Sequence, residues 1–425
     1  MTNPKRHAAK RWTATLLATL FAAALLTAPA AADKATYRLK VQIQFRGWLQ
    51  TSLWPQAKKR GVSAATFKAA FKGIKLNWKL PDLRPPGTSQ TAPVQQRQSE
   101  FRSPGRYFKQ GSFNTLVKQG RARLAKWKKT LAAIEKRYGV PRGIIMAIWA
   151  RESGYGRAKI PHNAIQVLAT QAFMGRRQAA FTTEILAALV IHQEGHIPVG
   201  KMKSSWAGAL GYPQFLPSKF LQFAVDFDGD GRRDIWNSAP DTLASIANYL
   251  AKHGWHAGRD WGFEVRAPTS VSCTLEGPDR GRKINDWAAM GIKRVSGRPF
   301  PAHEASKTGF FLLPGGRYGP VFIATPNFFV LKKYNESDVY ALFIGHLADR
   351  YGRSKAFAGK WKKFKGPNRR AVQKMQQRLE KKGHDVGGAD GLIGFKTRRT
   401  VGRWQEANGL RATCFPDRGM VGKVG

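Results

Sequence analysis

The residue of greatest chemical interest is a glutamate that continues an apolar helical stripe. Ile144, Ile145, Ile148 and Trp149 recur at helical spacing, and steps of four from Ile144 through Ile148 arrive at Glu152. A carboxylate aligned with a buried face is desolvated, which disfavours its charged form and raises its pKa. A carboxyl still protonated near neutral pH is what a glycosidic general acid requires. Ser153-Gly154-Tyr155-Gly156 follows at once, residues that end a helix and let a large ligand approach the backbone. Two plainer fates remain open for Glu152: escape to solvent at the helix end, or pairing with Arg151 or Arg157.

A second group of carboxylates suggests a cation. Asp226-Phe227-Asp228-Gly229-Asp230-Gly231-Arg232-Arg233-Asp234 places four of the chain's 26 acids in one short loop. Asp at loop positions 1, 3 and 5 with Gly at 6 is the opening of an EF-hand, where alternate side chains converge on Ca²⁺. Asn237 stands where the bidentate Glu would be, and Arg232 would offer only its backbone carbonyl. The alternative is a salt-bridged structural turn.

These residues must be positioned by helices for the most part. Leu124, Trp127, Leu131, Ile134 and Tyr138 predict one amphipathic helix, stopped by Gly139 and followed by Pro141. Helical patterning continues over 141–152, 178–193 and 239–253, and another helix begins near Ser337. Residues 264–333 differ: apolar runs such as Val321-Phe322-Ile323-Ala324 and Phe328-Phe329-Val330-Leu331, broken by Gly and Pro, read as strands. Between Leu83 and Pro104 the Pro, Ser, Thr and Gln content predicts a surface loop. Residues 351–366, rich in Lys and free of acid after Gly352, read as a basic linker to a small module at 367–425.

Composition narrows the class. With 42% hydrophobic residues, 13 Trp and 25 Phe, the 425-residue chain can build real cores and is no disordered basic tail. Cys273 and Cys414 permit one bridge but lack the spacing of a metal knuckle. Seventy-two Lys and Arg against 26 acids leave +46, which alone would suggest nucleic acid. The N-terminus opposes that. Lys5, Arg6, Lys10 and Arg11 precede an apolar run from Trp12 to Leu26 and then small residues, the order of a secretory signal peptide over 1–32. No Cys follows to carry a lipid, so a periplasmic chain with no membrane anchor after cleavage is expected.

The segment Ala147-Ile148-Trp149-Ala150-Arg151-Glu152-Ser153-Gly154-Tyr155-Gly156-Arg157, together with Ser205-Trp206-Ala207-Gly208-Ala209-Leu210-Gly211-Tyr212-Pro213-Gln214-Phe215-Leu216-Pro217-Ser218, closely resembles the B-type lytic murein transglycosylases. The resemblance covers most of residues 35–350. It implies a mainly α, lysozyme-like catalytic domain over 33–350 with a small β-containing insertion at 264–333. It also implies cleavage of the β-1,4 bond between N-acetylmuramic acid and N-acetylglucosamine, with Glu152 as single acid then base and a 1,6-anhydro product. Ordinary glycosidases use two carboxylates; here the substrate's own C6 hydroxyl supplies the nucleophile. The family pattern further implies substrate contacts at Ser205, Gln214, Tyr249, Tyr334, Asn335, Arg176 and Arg177, and Asp241 as a later metal ligand beside Asp226, Asp228, Asp230 and Arg232.

Residues 367–425 resemble a small helical peptidoglycan-binding domain. Asp390-Gly391-Leu392-Ile393-Gly394-Phe395-Lys396-Thr397 matches its turn and Trp404-Gln405 its aromatic-Gln pair, while Thr413-Cys414-Phe415-Pro416-Asp417 departs from its usual ending. The expectation is therefore a monomeric wall enzyme. It needs no cofactor for its chemistry, has a structural Ca²⁺ as the one candidate ion, and takes peptidoglycan glycan strands and wall-remodelling proteins as partners, with no nucleic acid. The alternatives are a lysozyme-type hydrolase, for which Glu184 or Glu194 would have to supply the second carboxylate, and a non-catalytic peptidoglycan-binding protein.

Overall fold

The computed structural model describes residues 28–88, 104–352, 354–362 and 366–424. The apolar run of the expected signal peptide and most of the expected loop after Leu83 lie outside them. Among the described residues no helix is long and apolar enough to cross a membrane. The chain forms two compact units. The first takes residues up to Val94, His162–Met202 and Trp206–Gly208; the second takes Gln95–Pro161, Lys203–Ser205 and Ala209–Gly425.

The first unit opens with α1 (Ala28–Trp48), a π turn over Leu49–Leu53, α2 (Trp54–Lys59) and α3 (Ala64–Phe71). Ser63 starts α3 because its Oγ accepts the otherwise unpartnered amide of Thr66 at 3.1 Å. The second unit begins with α4 (Gln110–Lys126), α5 (Lys128–Tyr138) and α6 (Arg142–Ser153). The chain returns to the first unit for α7 (Ala164–Met174) and α8 (Gln178–Gln193), which pack on each other. Gln193 Oε1 accepts the Ser63 amide at 3.0 Å and so ties the end of α8 to the start of α3. The second unit then adds α9 (Pro217–Phe223) and α10 (Ala239–Lys252).

Next comes an antiparallel five-stranded sheet. Its strands are β1 (Gly262–Arg266), β2 (Arg282–Lys283), β3 (Lys293–Arg294), β4 (Thr308–Leu312) and β5 (Val321–Ala324), in the order β2-β4-β5-β1-β3. Phe263 and Phe311 both oppose Ile323 across the ladder. With Trp287 of α11 (Ile284–Ala289) they form one apolar core. A further short helix, α12 (Ala302–Ala305), leads into β4.

Phe328–Leu331, expected as a strand, instead lies in helix α13 (Pro326–Tyr334). Thr325 Oγ1 accepts the Asn327 amide at 3.2 Å, and Pro326 fits the first turn. Phe328 and Leu331, three apart, are buried on one helical face. Local capping outweighed the β-branched and aromatic composition.

Helix α14 (Asp338–Tyr351) starts where Ser337 Oγ accepts the Tyr340 amide at 3.2 Å, and it packs along α6. Gly345 has no room for a larger residue there, since a Cβ would lie 2.3 Å from the Trp261 ring. The single helix expected through Leu124 and Tyr138 breaks at Trp127 (φ −100°, ψ 23°). The two halves serve different partners: α4 packs on α14 and α5 on α10.

The chain ends in α15 (Arg369–Lys381), α16 (Phe395–Ala407) and a short α17 (Arg418–Lys423), around Val372, Met375, Leu379, Val401 and Met420. The Gly-rich turn is held by buried Gln376, whose Oε1 accepts the Gly391 amide at 2.7 Å and whose Nε2 donates to Leu392 O at 2.8 Å. The residues leading to this module are seated as well. The amides of Ala358 and Gly359 donate to the Glu264 carboxylate (3.0 and 2.7 Å), and Trp361 stacks on Phe108 with centroids 5.8 Å apart. Cys273 and Cys414 form a disulfide, closing a sequence separation of 141 within the sheet's core.

Candidate active site

Helix α6 is buried all round, from Ile144 through Ala150, rather than along one stripe. Its start is fixed by Glu135, which accepts the Arg142 amide at 3.2 Å and pairs with its guanidinium at 2.6 Å. Its end is fixed by Gly154 in the left-handed conformation (φ 56°), donating back to Ala150 O at 3.0 Å. Tyr155 follows with φ 63°, a conformation that costs a non-glycine residue roughly 1–2 kcal/mol. It is held there by its hydroxyl, which donates to Leu116 O at 2.5 Å and lies 2.9 Å from the Tyr351 hydroxyl. The chain is thereby turned away immediately after Glu152.

Glu152 makes no ion pair among the described residues. Arg151 lies over the Tyr107 ring at 4.7 Å, and Arg157 donates to Gly154 O at 3.2 Å. The Glu152 carboxyl instead accepts a hydrogen bond from Tyr340, O–H to Oε1 at 2.6 Å. Burial pushes its pKa above the usual carboxylate range, opposed by the Tyr340 hydrogen bond and the Arg151 charge. Tyr340 and Tyr334 are both pushed well above the ordinary tyrosine value by burial and by the negative charge of Glu152. Burial thus favours the protonated form of Glu152 and of the phenol that donates to it.

An aromatic wall extends from this pair. The Tyr334 ring stacks on Tyr340 (6.5 Å, 11° between planes) and meets Tyr249 edge-on at 4.8 Å; Phe215 lies 5.9 Å from Tyr334. The Tyr334 hydroxyl donates to Pro213 O at 2.7 Å, which docks the 205–216 loop onto the wall. Gln214, next to that contact, has φ 55° and donates its Nε2 to Gly211 O at 2.8 Å. Ser205 closes the same loop, accepting the Ala209 amide on Oγ at 3.2 Å. Thus Glu152, Tyr334 and Tyr249 are brought together with the loop that carries Ser205 and Gln214. The Tyr249 hydroxyl is committed to Lys333 O at 2.6 Å, and burial pushes its pKa up to about 12. Asn335 is placed otherwise: it lines a cavity of about 720 Å³ shared with the C-terminal module and accepts the Ser337 amide at 3.1 Å. Arg176 and Arg177 belong to the first unit, where Arg176 faces Asp82 at 3.9 Å and Arg177 lies over the Phe181 ring at 5.4 Å.

The acidic loop gathers as expected at its opening. Asp226, Asp228 and Asp230 bring one carboxylate oxygen each within 4.8 Å of the others. Asp226 accepts the amides of Gly229 and Gly231 (2.7 and 2.9 Å), and Asp228 accepts the Ser238 hydroxyl at 2.7 Å. A set of hard carboxylate oxygens at this spacing fits Ca²⁺. Asp241 does not join the cluster. It is fully buried, and its two oxygens accept the amides of Phe227 and Asp234 at 2.8 Å each. Burial and the Asp228 charge push its pKa up to about 6 against those amides. At Arg232 the amide donates to Asp230 Oδ1 at 2.8 Å.

Two features were not anticipated. Tyr340 is 188 residues from Glu152, so no local pattern could pair them. Arg398, which follows the Thr of the module's turn motif, is buried against Glu276 and Asp338; a guanidinium inside a small module carries no sequence mark of that role.

Residues 44–349 match the Transglycosylase SLT domain family, and residues 368–423 match a peptidoglycan binding domain family. Over 211 residues the chain is 32% identical to membrane-bound lytic murein transglycosylase B of Escherichia coli (strain K12). That match takes in 49% of this chain and about half, 56%, of the relative's length. SltB3 from Pseudomonas aeruginosa, solved in complex with NAG-NAM-pentapeptide, is 36% identical with a TM-score of 0.79; the match covers 90% of this chain and 99% of SltB3. Slt35 of Escherichia coli, solved in complex with calcium, is 29% identical with a TM-score of 0.51, over 60% of this chain and 80% of Slt35. The fold is the expected one: mainly helical and lysozyme-like, with a small sheet and a helical C-terminal domain. With its larger part matched from residue 44 to residue 349, the chain belongs to the Transglycosylase SLT domain family.

Proposed function

We propose that this protein is a lytic transglycosylase of peptidoglycan, cleaving the β-1,4 bond between N-acetylmuramic acid and N-acetylglucosamine with Glu152 as its single acid and base. Neutral Glu152 gives its proton to the glycosidic oxygen as the bond to C1 breaks. The carboxylate so formed keeps the Tyr340 hydrogen bond, which stabilises its charge. It then takes the proton of the C6 hydroxyl as that oxygen bonds to C1, giving a 1,6-anhydro sugar and restoring the neutral carboxyl. The observation that carries this reading is the Glu152 carboxyl at the end of the buried helix α6, accepting the Tyr340 hydroxyl at 2.6 Å.

Ser205, Gln214, Tyr249, Tyr334, Asn335, Arg176 and Arg177 are assigned to substrate binding, Tyr249 through its ring since its hydroxyl is taken. SltB3 was solved with a NAG-NAM-pentapeptide, which supports the same substrate class here. Export by a cleaved signal peptide to the periplasm belongs to this proposal, on the charged, apolar and small-residue order of the N-terminus. The test is digestion of purified sacculi by wild type and Glu152→Gln with mass spectrometry of the products. Anhydromuropeptides from wild type alone are expected. Reducing-end products would select a lysozyme-type hydrolase, and full activity of the variant would remove Glu152 from the chemistry.

A structural Ca²⁺ on Asp226, Asp228 and Asp230 is proposed with it, supported by the gathered carboxylates and by the calcium complex of Slt35. EDTA should lower the melting temperature and added calcium restore it, because a ligand bound only to the folded state stabilises it. An unchanged melt would exclude the ion.

A further inference from the structure

The C-terminal module reaches the catalytic helices through one buried guanidinium. Arg398, 2% exposed, forks onto Glu276, Nε to Oε2 at 2.9 Å and Nη2 to Oε1 at 2.7 Å. Glu276 is fully buried beside the sheet, and its Oε1 also accepts the Leu313 amide at 2.8 Å. The same Nη2 reaches Asp338 Oδ2 at 2.9 Å. Asp338 is the first residue of α14, two before Tyr340, and its other oxygen accepts Lys332 Nζ at 2.6 Å. Lys332 lies two residues before Tyr334 in the last turn of α13. One carboxylate thus clamps the end of α13 to the start of α14, the two turns that carry the stacked tyrosines at Glu152. Arg398 completes that clamp from the module, and Glu276 fixes Arg398.

Such a cluster is poorly explained as a stabilising device. Desolvating ions costs about as much as their attraction returns, and apolar packing of equal volume often does as well. What a bidentate guanidinium adds is direction. We propose that Arg398 is a positioning residue for the catalytic carboxylate: through Asp338 it fixes the first turn of α14 and hence the Tyr340 hydroxyl against Glu152. The module is then part of the catalytic unit as well as a candidate wall-binding element. The activity arm of this inference rests on the transglycosylase reading above; its spectroscopic arm does not.

Wild type, Arg398→Gln, Arg398→Lys and Tyr340→Phe are compared as full chains. The Glu152 pKa is read by ¹³C NMR of glutamate-labelled protein, assigned with Glu152→Gln. The groups facing Glu152 are Tyr340 and Tyr334 from the tyrosine wall and Arg151 from its own helix, and only the Tyr340 hydrogen bond is altered by design. Losing it disfavours the carboxylate, so Tyr340→Phe and Arg398→Gln should both move the pKa upward, with Arg398→Lys between Gln and wild type. On sacculi, kcat of Arg398→Gln should fall on the order of tenfold, while co-sedimentation with sacculi stays at the wild-type level. A folded Arg398→Gln with unchanged pKa and kcat overturns the proposal, as does a loss confined to KM and co-sedimentation. Should Arg398→Gln fail to fold, Asp338→Asn keeps the Arg398–Glu276 fork and is read in the same way. If wild type releases nothing from sacculi, the activity reading fails and the NMR arm still decides the role of Arg398.

Discussion

At the scale of the residue, Glu152, proposed above as acid and base, is held where its ionisation costs the fold stability. Its folded pKa lies above its unfolded one, so ionisation is opposed by burial. Stability is full while the group is protonated in both states, falls as pH rises from about 4.3 through the folded pKa, and stays lower above it. Glu152→Gln retains an oxygen for Tyr340 and cannot ionise. It should therefore melt higher than wild type at neutral pH and equally at acid pH, as calorimetry would show, while losing turnover. Glu152 could be singled out as a candidate in the sequence because everything that marks it is local: the periodicity of its helix and the glycines just after it. Tyr340 could not, since its partner is a tertiary neighbour. Asp241 illustrates the opposite difficulty. The family resemblance implies it as a later metal ligand, but this fully buried carboxylate accepts the loop's own amides.

At the scale of the element, α14 carries the tyrosine, the clamp and two buried titratable groups of opposite sense. His346 is pushed down to about 3 by burial and the Arg350 charge. Asp349 is pushed up to about 7 by burial, with a hydrogen bond from Trp261 Nε1 at 3.1 Å opposing. Burying neutral His346 loses stability as pH falls from 6.5 toward 3, because only the unfolded chain takes up the proton readily. Neutral Asp349 acts the other way, losing stability as pH rises from 3.8 to about 7. His346→Phe, keeping the stack on Phe357 at 3.8 Å, should leave a chain whose melting temperature falls less on acidification; Asp349→Asn should leave one whose melting temperature falls more. Element boundaries followed from caps where caps were local, as at Ser337 and Gly154. They failed at Phe328–Leu331, where composition argued for a strand and the Thr325-Pro326 start imposed a helix. They failed again at Trp127, where two packing partners divided one amphipathic pattern.

At the scale of the whole molecule, the sequence carries no mark of how the C-terminal module is attached. A stretch rich in lysine and poor in acid reads as a spacer, yet its described residues are seated on Glu264, Tyr318 and Phe108, contacts made across distant sequence. The Cys273–Cys414 bridge adds a covalent tie. Closing so long a loop restricts the unfolded chain, and losing the bond costs about 2–5 kcal/mol. The melting temperature should drop on reduction in wild type and be insensitive to reductant in a Cys273→Ser/Cys414→Ser variant. The net charge of +46 would favour encounter with the anionic polymer proposed as substrate over roughly a Debye length, about 8 Å at physiological salt.

The same bridge sets an order in time. Cys273 waits for a partner synthesised 141 residues later, so the sheet cannot be locked until that stretch has been made and, on the export proposed above, has reached an oxidising space. Arg398 arrives in that final stretch too, and with it the clamp at Asp338. A chain stopped before Arg398 would hold Glu152 but neither the lock nor the clamp, so on the proposal above the setting of Tyr340 against Glu152 is completed only after this stretch has been made.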